Sequence, residues 1–178
     1  DMQISQSLIP EDAPPEVVAV LFTNNAASSE IKGVEVEFQA APTPNWLISG
    51  MYARLDTEFS EFLVPEGFRL LAGAPPVENR LGNDLKRSPR NMASLLVRYT
   101  HWLSQGGDIT MQVAYRHIDE NFGDVDNLPF GEIPAYDVFD ARVTYRPPGD
   151  NWTISLWGNN LNDEEYFLNV KPNVGSGW

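Results

Sequence analysis

Three arginines, Arg98, Arg116 and Arg142, carry the most nameable chemistry in this chain. A guanidinium is a rigid, permanently charged fork of N–H donors that grips carboxylates, phosphates and similar anions. Two roles follow for such a set: holding an anionic ligand, or pairing with Glu35, Glu37 and neighbouring carboxylates to fill a polar interior. Generic polarity weighs toward the pairing. The remaining chemistry is thinner. Carboxylates in the stretch Asp119 to Asn127 suit an oxygen-seeking cation such as Ca²⁺, but their spacing departs from that of a calcium loop and fits a solvated loop better. His101 and His117 fall on separate segments near opposite ends, which argues against a shared metal. No Ser/His/Asp set, Gly-rich phosphate loop or paired catalytic carboxylates stands in a persuasive context, so no catalytic residue, metal centre or cofactor is expected.

The elements that must position these arginines are strands. Across 32–40, Val34, Val36, Phe38 and Ala40 fall on one face and Glu35, Glu37 and Gln39 on the other, the period-two alternation of a half-buried strand. In 91–103, Ala93, Leu95, Val97 and Tyr99 alternate with Ser94, Leu96, Arg98 and Thr100. In 108–118, Ile109, Met111, Val113 and Tyr115 alternate with Thr110, Gln112, Ala114 and Arg116. Phe139, Ala141, Val143 and Tyr145 oppose Asp140, Arg142, Thr144 and Arg146, and in 152–160 Trp152, Ile154, Leu156 and Gly158 oppose Thr153, Ser155, Trp157 and Asn159. The segment 46–59 sets Leu47, Met51, Ala53, Leu55 and Phe59 against Arg54, Asp56 and Glu58, less cleanly at its start. Residues 1–9 read as a further strand, and 17–24 as the outer part of the one ending at Ala40. No convincing helix emerges.

The connections alternate in length: short after Ala40, long after Phe59, short after Leu103, long after Ile118, short after Arg146 and long after Asn160. In an up-and-down meander all short turns then gather at one end and all long loops at the other, as in outer-membrane barrels. Soluble sandwiches, built on Greek keys, have no reason to sort loops by end. The outer face agrees, because a charge facing lipid costs about 2–4 kcal/mol near the midplane and the strand centres Val34/Val36/Phe38, Ala93/Leu95/Val97, Met111/Val113 and Ala141/Val143 hold none. Trp46, Trp102 and Trp152 all sit beside short turns, where an interfacial aromatic girdle would place them.

At 178 residues and 42% hydrophobic content, one domain with a sizeable buried surface is the default. No apolar run reaches the roughly 18 residues of a membrane helix, a test that misses barrel strands, and no leader is evident. The absence of cysteine excludes disulfides, and a net charge of −13 opposes nucleic-acid binding. A start at Asp1 and a loop-like finish, Gly175-Ser-Gly-Trp178, read as a piece of a longer chain.

Four segments carry a family resemblance. Asn25-Ala-Ala-Ser-Ser-Glu-Ile-Lys-Gly-Val-Glu-Val-Glu37, Arg87-Ser-Pro-Arg-Asn91, Ile133-Pro-Ala-Tyr-Asp-Val-Phe-Asp140 and Gly158-Asn-Asn-Leu-Asn-Asp-Glu-Glu-Tyr166 resemble, in order, strand and turn motifs of TonB-dependent receptors. The resemblance implies an all-β, antiparallel up-and-down meander, a partial transmembrane β-barrel of about seven strands from a barrel of about 22. It implies that residues 1–178 form a C-terminal segment of that barrel, with the plug domain and the final strand absent. It further implies a place in the cell outer membrane of a Gram-negative bacterium and active transport of a scarce nutrient such as a ferric siderophore. The partners implied are outer-membrane lipid, TonB, the receptor's own plug domain and the nutrient ligand. On this reading Arg98, Arg116 and Arg142 face the lumen, toward plug or ligand, and the Asn159–Asp163 cluster turns the last strand into an extracellular loop whose polar groups find water. The long connection 60–90, with Phe62, Phe68, Leu70 and Leu71, is the candidate for ligand capture. The alternative is a soluble secreted β-sandwich that binds carbohydrate or a surface partner.

Overall fold

The computed structural model describes residues 2–10, 20–62, 68–69, 80–149 and 151–170. Strands β1 (Met2–Pro10), β2 (Val20–Ala40), β3 (Trp46–Phe62), β4 (Phe68–Arg69), β5 (Asn91–Trp102), β6 (Asp108–Ile118), β9 (Tyr136–Arg146) and β10 (Ile154–Gly158) form one antiparallel sheet in the order β10-β9-β6-β5-β3-β2-β1-β4. The short strands β7 (Asn121–Phe122) and β8 (Glu132–Ile133), with a 3₁₀ turn at Pro129–Gly131, lie within the β6–β9 connection. Apart from β4, every neighbour in the large sheet follows its partner in chain order, which is the expected meander. The sheet is open, with β10 and β4 at its edges.

Pairing carries face identity across the sheet, because directly opposed residues share a side. Glu37 pairs with Met51, Met51 with Ser94, Ser94 with Arg116 and Arg116 with Val138. This row and its parallels define the inner face. Val36, Tyr52, Ala93, His117 and Asp137 form the adjacent outer row. The alternation expected for β2, β5, β6, β9 and β10 therefore adds up to one consistent outer face.

β3 departs from the expectation. Leu47, Met51, Ala53, Leu55 and Phe59 lie on the inner face with Glu37 and Arg98, whereas Trp46, Ile48, Gly50 and Tyr52 face outward. Alternation fixes the period of a strand but not its phase, which is set by the register of its partners. Gly50 obscures the outer stripe: it lies opposite Phe38, whose ring fills the space a Cβ would need, at 2.5 Å. β3 also continues to Phe62, three residues beyond the expected end.

Burial is inverted relative to a water-soluble sheet. The outer residues Val34, Val36, Phe38, Val113 and Leu156 are 64, 53, 51, 50 and 77% exposed, while the buried apolar residues Phe59, Phe62, Leu85, Val125, Ile133, Tyr136 and Val138 gather at the long-loop end. No second sheet covers the outer face among the described residues. Aromatic rings bound this apolar band. Near the short turns Trp46 packs on Tyr99 and Trp152 on Tyr145; toward the long loops Tyr115 packs on Phe139, with Tyr52 further along. Phe139 and Tyr145 are six residues apart, about 20 Å along the strand. Trp102 does not join the girdle: it shares the phase of Arg98 and Thr100 and pairs with Asp108 on the inner face.

The turn after β10 does more than leave the sheet. Leu161 N–H donates to the Phe139 carbonyl at 2.7 Å, Phe139 N–H to Asn162 Oδ1 at 3.1 Å, and Asn162 Nδ2 to the Asp137 carbonyl at 2.7 Å. Asn160 and Asp163 adopt φ of 52°, and Tyr166 stacks on Tyr136 with centroids 4.4 Å apart. The asparagines thus replace a vanished strand at the exposed edge of β9. The expectation that their polar groups meet water holds only in part: several meet β9 backbone.

Candidate functional site

The inner face positions the three arginines at two levels. Arg98 and Arg142 both oppose Gln112, on either side of β6, so their backbones are two strand spacings apart, about 10 Å. Arg116 stands four residues further along β6, about 13 Å toward the long loops. All three are exposed on the concave side. Arg142 Nη2 donates to Ser155 Oγ at 3.1 Å, and Arg116 lines an open hollow of about 750 Å³ together with Glu37, Gln39, Ser49, Ser94 and Asp140. Arg98 and Arg116 make no side-chain ion pair among the described residues, and Glu35 and Glu37 are not the partners of any of the three.

Among the described residues, this face does carry an ion pair that no local sequence pattern marks, between Asp108 and Arg146. Asp108, at the β6 start, is 4% exposed; it accepts from Arg146 Nε at 3.1 Å and from Thr110 Oγ1 at 2.9 Å. The turn before it makes this possible: Gly107 has φ +82° and passes so close to the Arg146 carbonyl that a Cβ would lie 2.4 Å from its oxygen.

At the other end, two long connections fold together over the inner side of β3. Residues 80–90 run beside β3, with Phe59 N–H donating to the Asn83 carbonyl, Gly82 N–H to the Phe59 carbonyl and Leu85 N–H to Thr57 Oγ1. Leu85 and Val125 close on Phe59 and Phe62, whose rings meet edge to face at 5.0 Å. Polar bonds lock the connections to each other: Asp84 N–H donates to Asn127 Oδ1 at 2.6 Å, Asn127 Nδ2 to the Asp84 carbonyl at 3.1 Å, and Asn83 Nδ2 to the Val125 carbonyl at 3.1 Å. Arg80, 1% exposed, lies over the Phe62 ring at 4.6 Å and pairs with Asp126. Burial pushes the Arg80 guanidinium below its usual value against the pull of Asp126, and pushes the Asp126 carboxyl up against the pull of Arg80. For both groups desolvation outweighs the attraction of the partner, as it can in a buried ion pair.

This cap redefines the 119–127 stretch. Asp126 is committed to Arg80, Asp124 Oδ1 accepts the Asp126 N–H, and Asp119 is bonded to His117 and Asn91. Asp124 and Asp126 lie together around Arg80 while Asp119 serves His117 and Asn91, and no group of three metal-binding side chains is found among the described residues. His101 and His117 share the outer face at opposite ends of the sheet. Of the loop residues expected to capture ligand, Phe62 is buried in the cap, the Phe68 side chain is not described, and Leu70 and Leu71 lie outside the described residues.

A single layer of antiparallel strands with an apolar, aromatic-bounded outside, a charged inside and loops sorted by end is the wall of a transmembrane β-barrel. Residues 1–161 match the family of TonB dependent receptor-like β-barrels, and the chain belongs to that family. Its relatives are proteins of the Gram-negative outer membrane, and this is the compartment of the chain. The chain is 24% identical to the ferrichrome outer membrane transporter/phage receptor of Escherichia coli K12 over 196 aligned positions, covering 99% of this chain and 24% of the relative. It is 27% identical to the metal-pseudopaline receptor CntO of Pseudomonas aeruginosa, covering 86% of this chain and 19% of that one. Among solved structures, the siderophore receptor PiuA of Acinetobacter baumannii superposes with a TM-score of 0.68 at 26% identity, over 85% of this chain and 20% of PiuA. The ferric yersiniabactin uptake receptor FyuA of Yersinia pestis, at 20% identity and a TM-score of 0.66, shares the fold. The chain therefore spans about a fifth to a quarter of these relatives' length.

Proposed function

We propose that this chain is a section of the barrel wall of a receptor that imports a metal chelate of the siderophore kind, energised through TonB. The carrying observation is sidedness: uncharged strand centres face outward while Arg98, Arg116, Arg142 and Asp140 face a concave interior. The likeness to ferrichrome, metal-pseudopaline and siderophore receptors supports the substrate class. In this reading the arginines of the wall meet an anionic chelate or the plug domain through charge-assisted bonds, and the cap built from 80–90 and 119–135 edges the mouth through which the chelate enters. Lipid contacts the outer band.

The test is uptake of radiolabelled ferric chelates by the full-length protein, in a Gram-negative host stripped of its own siderophore receptors. Accumulation that requires TonB and falls in an Arg98→Gln/Arg116→Gln/Arg142→Gln variant with normal outer-membrane levels is the expected result. Equal accumulation without TonB would overturn the proposal. The soluble-sandwich alternative is set aside because, among the described residues, no second sheet meets the exposed valines of β2 and β6.

A further inference from the structure

Just beyond the girdle on the outer face, six side chains from four strands and one loop form an unbroken hydrogen-bonded chain. Tyr52 Oη donates to Asn91 Oδ1 at 2.7 Å, and Asn91 Nδ2 donates to Asp119 Oδ2. Asp119 Oδ1 lies 2.9 Å from His117 Nε2, Asp137 Oδ1 lies 2.8 Å from His117 Nδ1, and Tyr115 Oη donates to that same Asp137 oxygen at 2.6 Å. The ends of the chain fix its direction. Ionised carboxylates only accept, so the ring between them must donate from both nitrogens, which a neutral imidazole cannot do. The position of this junction matters as much as its chemistry. Asn91 ends the 80–90 connection and Asp119 begins the 119–135 connection, and the two residues are also joined by the Asp119 N–H to the Asn91 carbonyl at 3.0 Å.

We propose that His117 is a protonation-dependent staple holding the common root of the two cap connections to the barrel wall. As an imidazolium it bonds Asp119 and Asp137 together; on losing a proton it keeps one N–H and releases one carboxylate. Its charged and titratable surroundings are few. β9 contributes Asp137, β6 itself contributes Tyr115, the following loop contributes Asp119, and β5 contributes Asn91 and Ala93, which do not titrate. Across β5, β3 brings Tyr52 and Arg54, the latter opposite Asn91. The carboxylates flanking the ring favour its cation. A receptor built this way holds its cap root firmly in acid and loosens it in alkali, so that mouth order follows external pH.

The experiment places a nitroxide at the exposed position 120 as Glu120→Cys in the full-length receptor, in lipid nanodiscs, and follows label mobility from about pH 5 to about pH 9, the range in which a histidine changes charge. The expected result is one transition from an ordered to a mobile spectrum as pH rises. In His117→Gln that transition is lost and the mobile spectrum holds throughout. Asp119→Asn, which removes the accepting carboxylate and keeps the histidine, also gives a mobile label without a transition, and it decides the matter if His117→Gln does not assemble. A transition that survives in either variant, or a wild-type label indifferent to pH, overturns the proposal. So does ¹⁵N labelling that finds a neutral His117 ring at the acid end.

Discussion

Val113 and Ala114 are neighbours in the chain and, in this structure, neighbours of different solvents. Val113 stands on β6 between Val97 and Ala141, central in the outer apolar band and half exposed. Ala114 points inward, opposite Asp140. An arginine at position 113 must bring its charge into the hydrocarbon layer or bend to escape it, at about 2–4 kcal/mol near the midplane. Since each 1.4 kcal/mol is tenfold, the ratio of inserted to unfolded protein at the wild-type transition midpoint falls roughly 30-fold to 1000-fold. An arginine at 114 enters a wet interior beside a carboxylate and changes stability by no more than about 0.5 kcal/mol. Equilibrium unfolding of the full-length receptor from phospholipid vesicles, read by heat-modifiable gel mobility, separates the two: Val113→Arg moves the denaturant midpoint down and Ala114→Arg leaves it in place. If Ala114→Arg costs as much as Val113→Arg, or more, the assignment of faces is wrong, and the lumen with it.

Other outcomes follow from the cap and turns. Arg80→Met strands the Asp126 carboxylate beside Phe62 at a cost of about 3–5 kcal/mol to the cap, read as faster protease cleavage within 80–90; Arg80→Met/Asp126→Leu restores most of the protection, because an apolar pair needs no partner. Gly107→Ala puts a side chain against the Arg146 carbonyl at a left-handed φ and destabilises the β5–β6 turn by about 1–3 kcal/mol, visible as reduced folded yield. Acid separates two loop carboxylates. Burial alone would raise Asp119, but hydrogen bonds from His117 and Asn91 hold it below its ordinary value, so its contribution is present above the unfolded pKa and lost as pH falls through the folded one. Asp126 is raised by burial, so its contribution is fully present below the unfolded pKa and lost as pH rises through the folded one. Hydrogen exchange, corrected for intrinsic rates, should therefore show the bonds around Asp119 weakening first below about pH 4, the ordinary carboxylate range and under the window in which His117 changes charge, while those around Asp126 persist.

The barrel wall was legible because lipid and lumen impose a two-residue rhythm that few other environments impose so strictly. β5, β6 and β9 hold that rhythm from end to end, and the lengths of the turns after Ala40, Trp102 and Arg146 declare which end is which. β3 was misleading because its inner face is apolar too: Met51 faces Ser94 in the hollow, and Leu55 leads up to Phe59 in the cap core, so hydrophobicity alone marks the wrong side. The charges Arg54, Asp56 and Glu58 compounded this, since they share the outer stripe with Trp46, Ile48 and Tyr52, Arg54 directly opposite Val34. Arg80 and Asp126 are separated by 46 residues, and nothing local distinguishes them from solvated loop charges. Their burial arises only when two connections meet. Alternation alone sets the face of the three arginines; that they meet no carboxylate among the described residues depends on rotamers and register that no pattern encodes.

The reciprocal bonds between Asp84 and Asn127 tie the segment entering the β5–β6 hairpin to the segment leaving it. For anyone grafting specificity between receptors, these two surface segments form a single cassette. Transplanting one without the other leaves donors and acceptors facing a stranger, and natural drift in either is constrained by its neighbour across the hairpin.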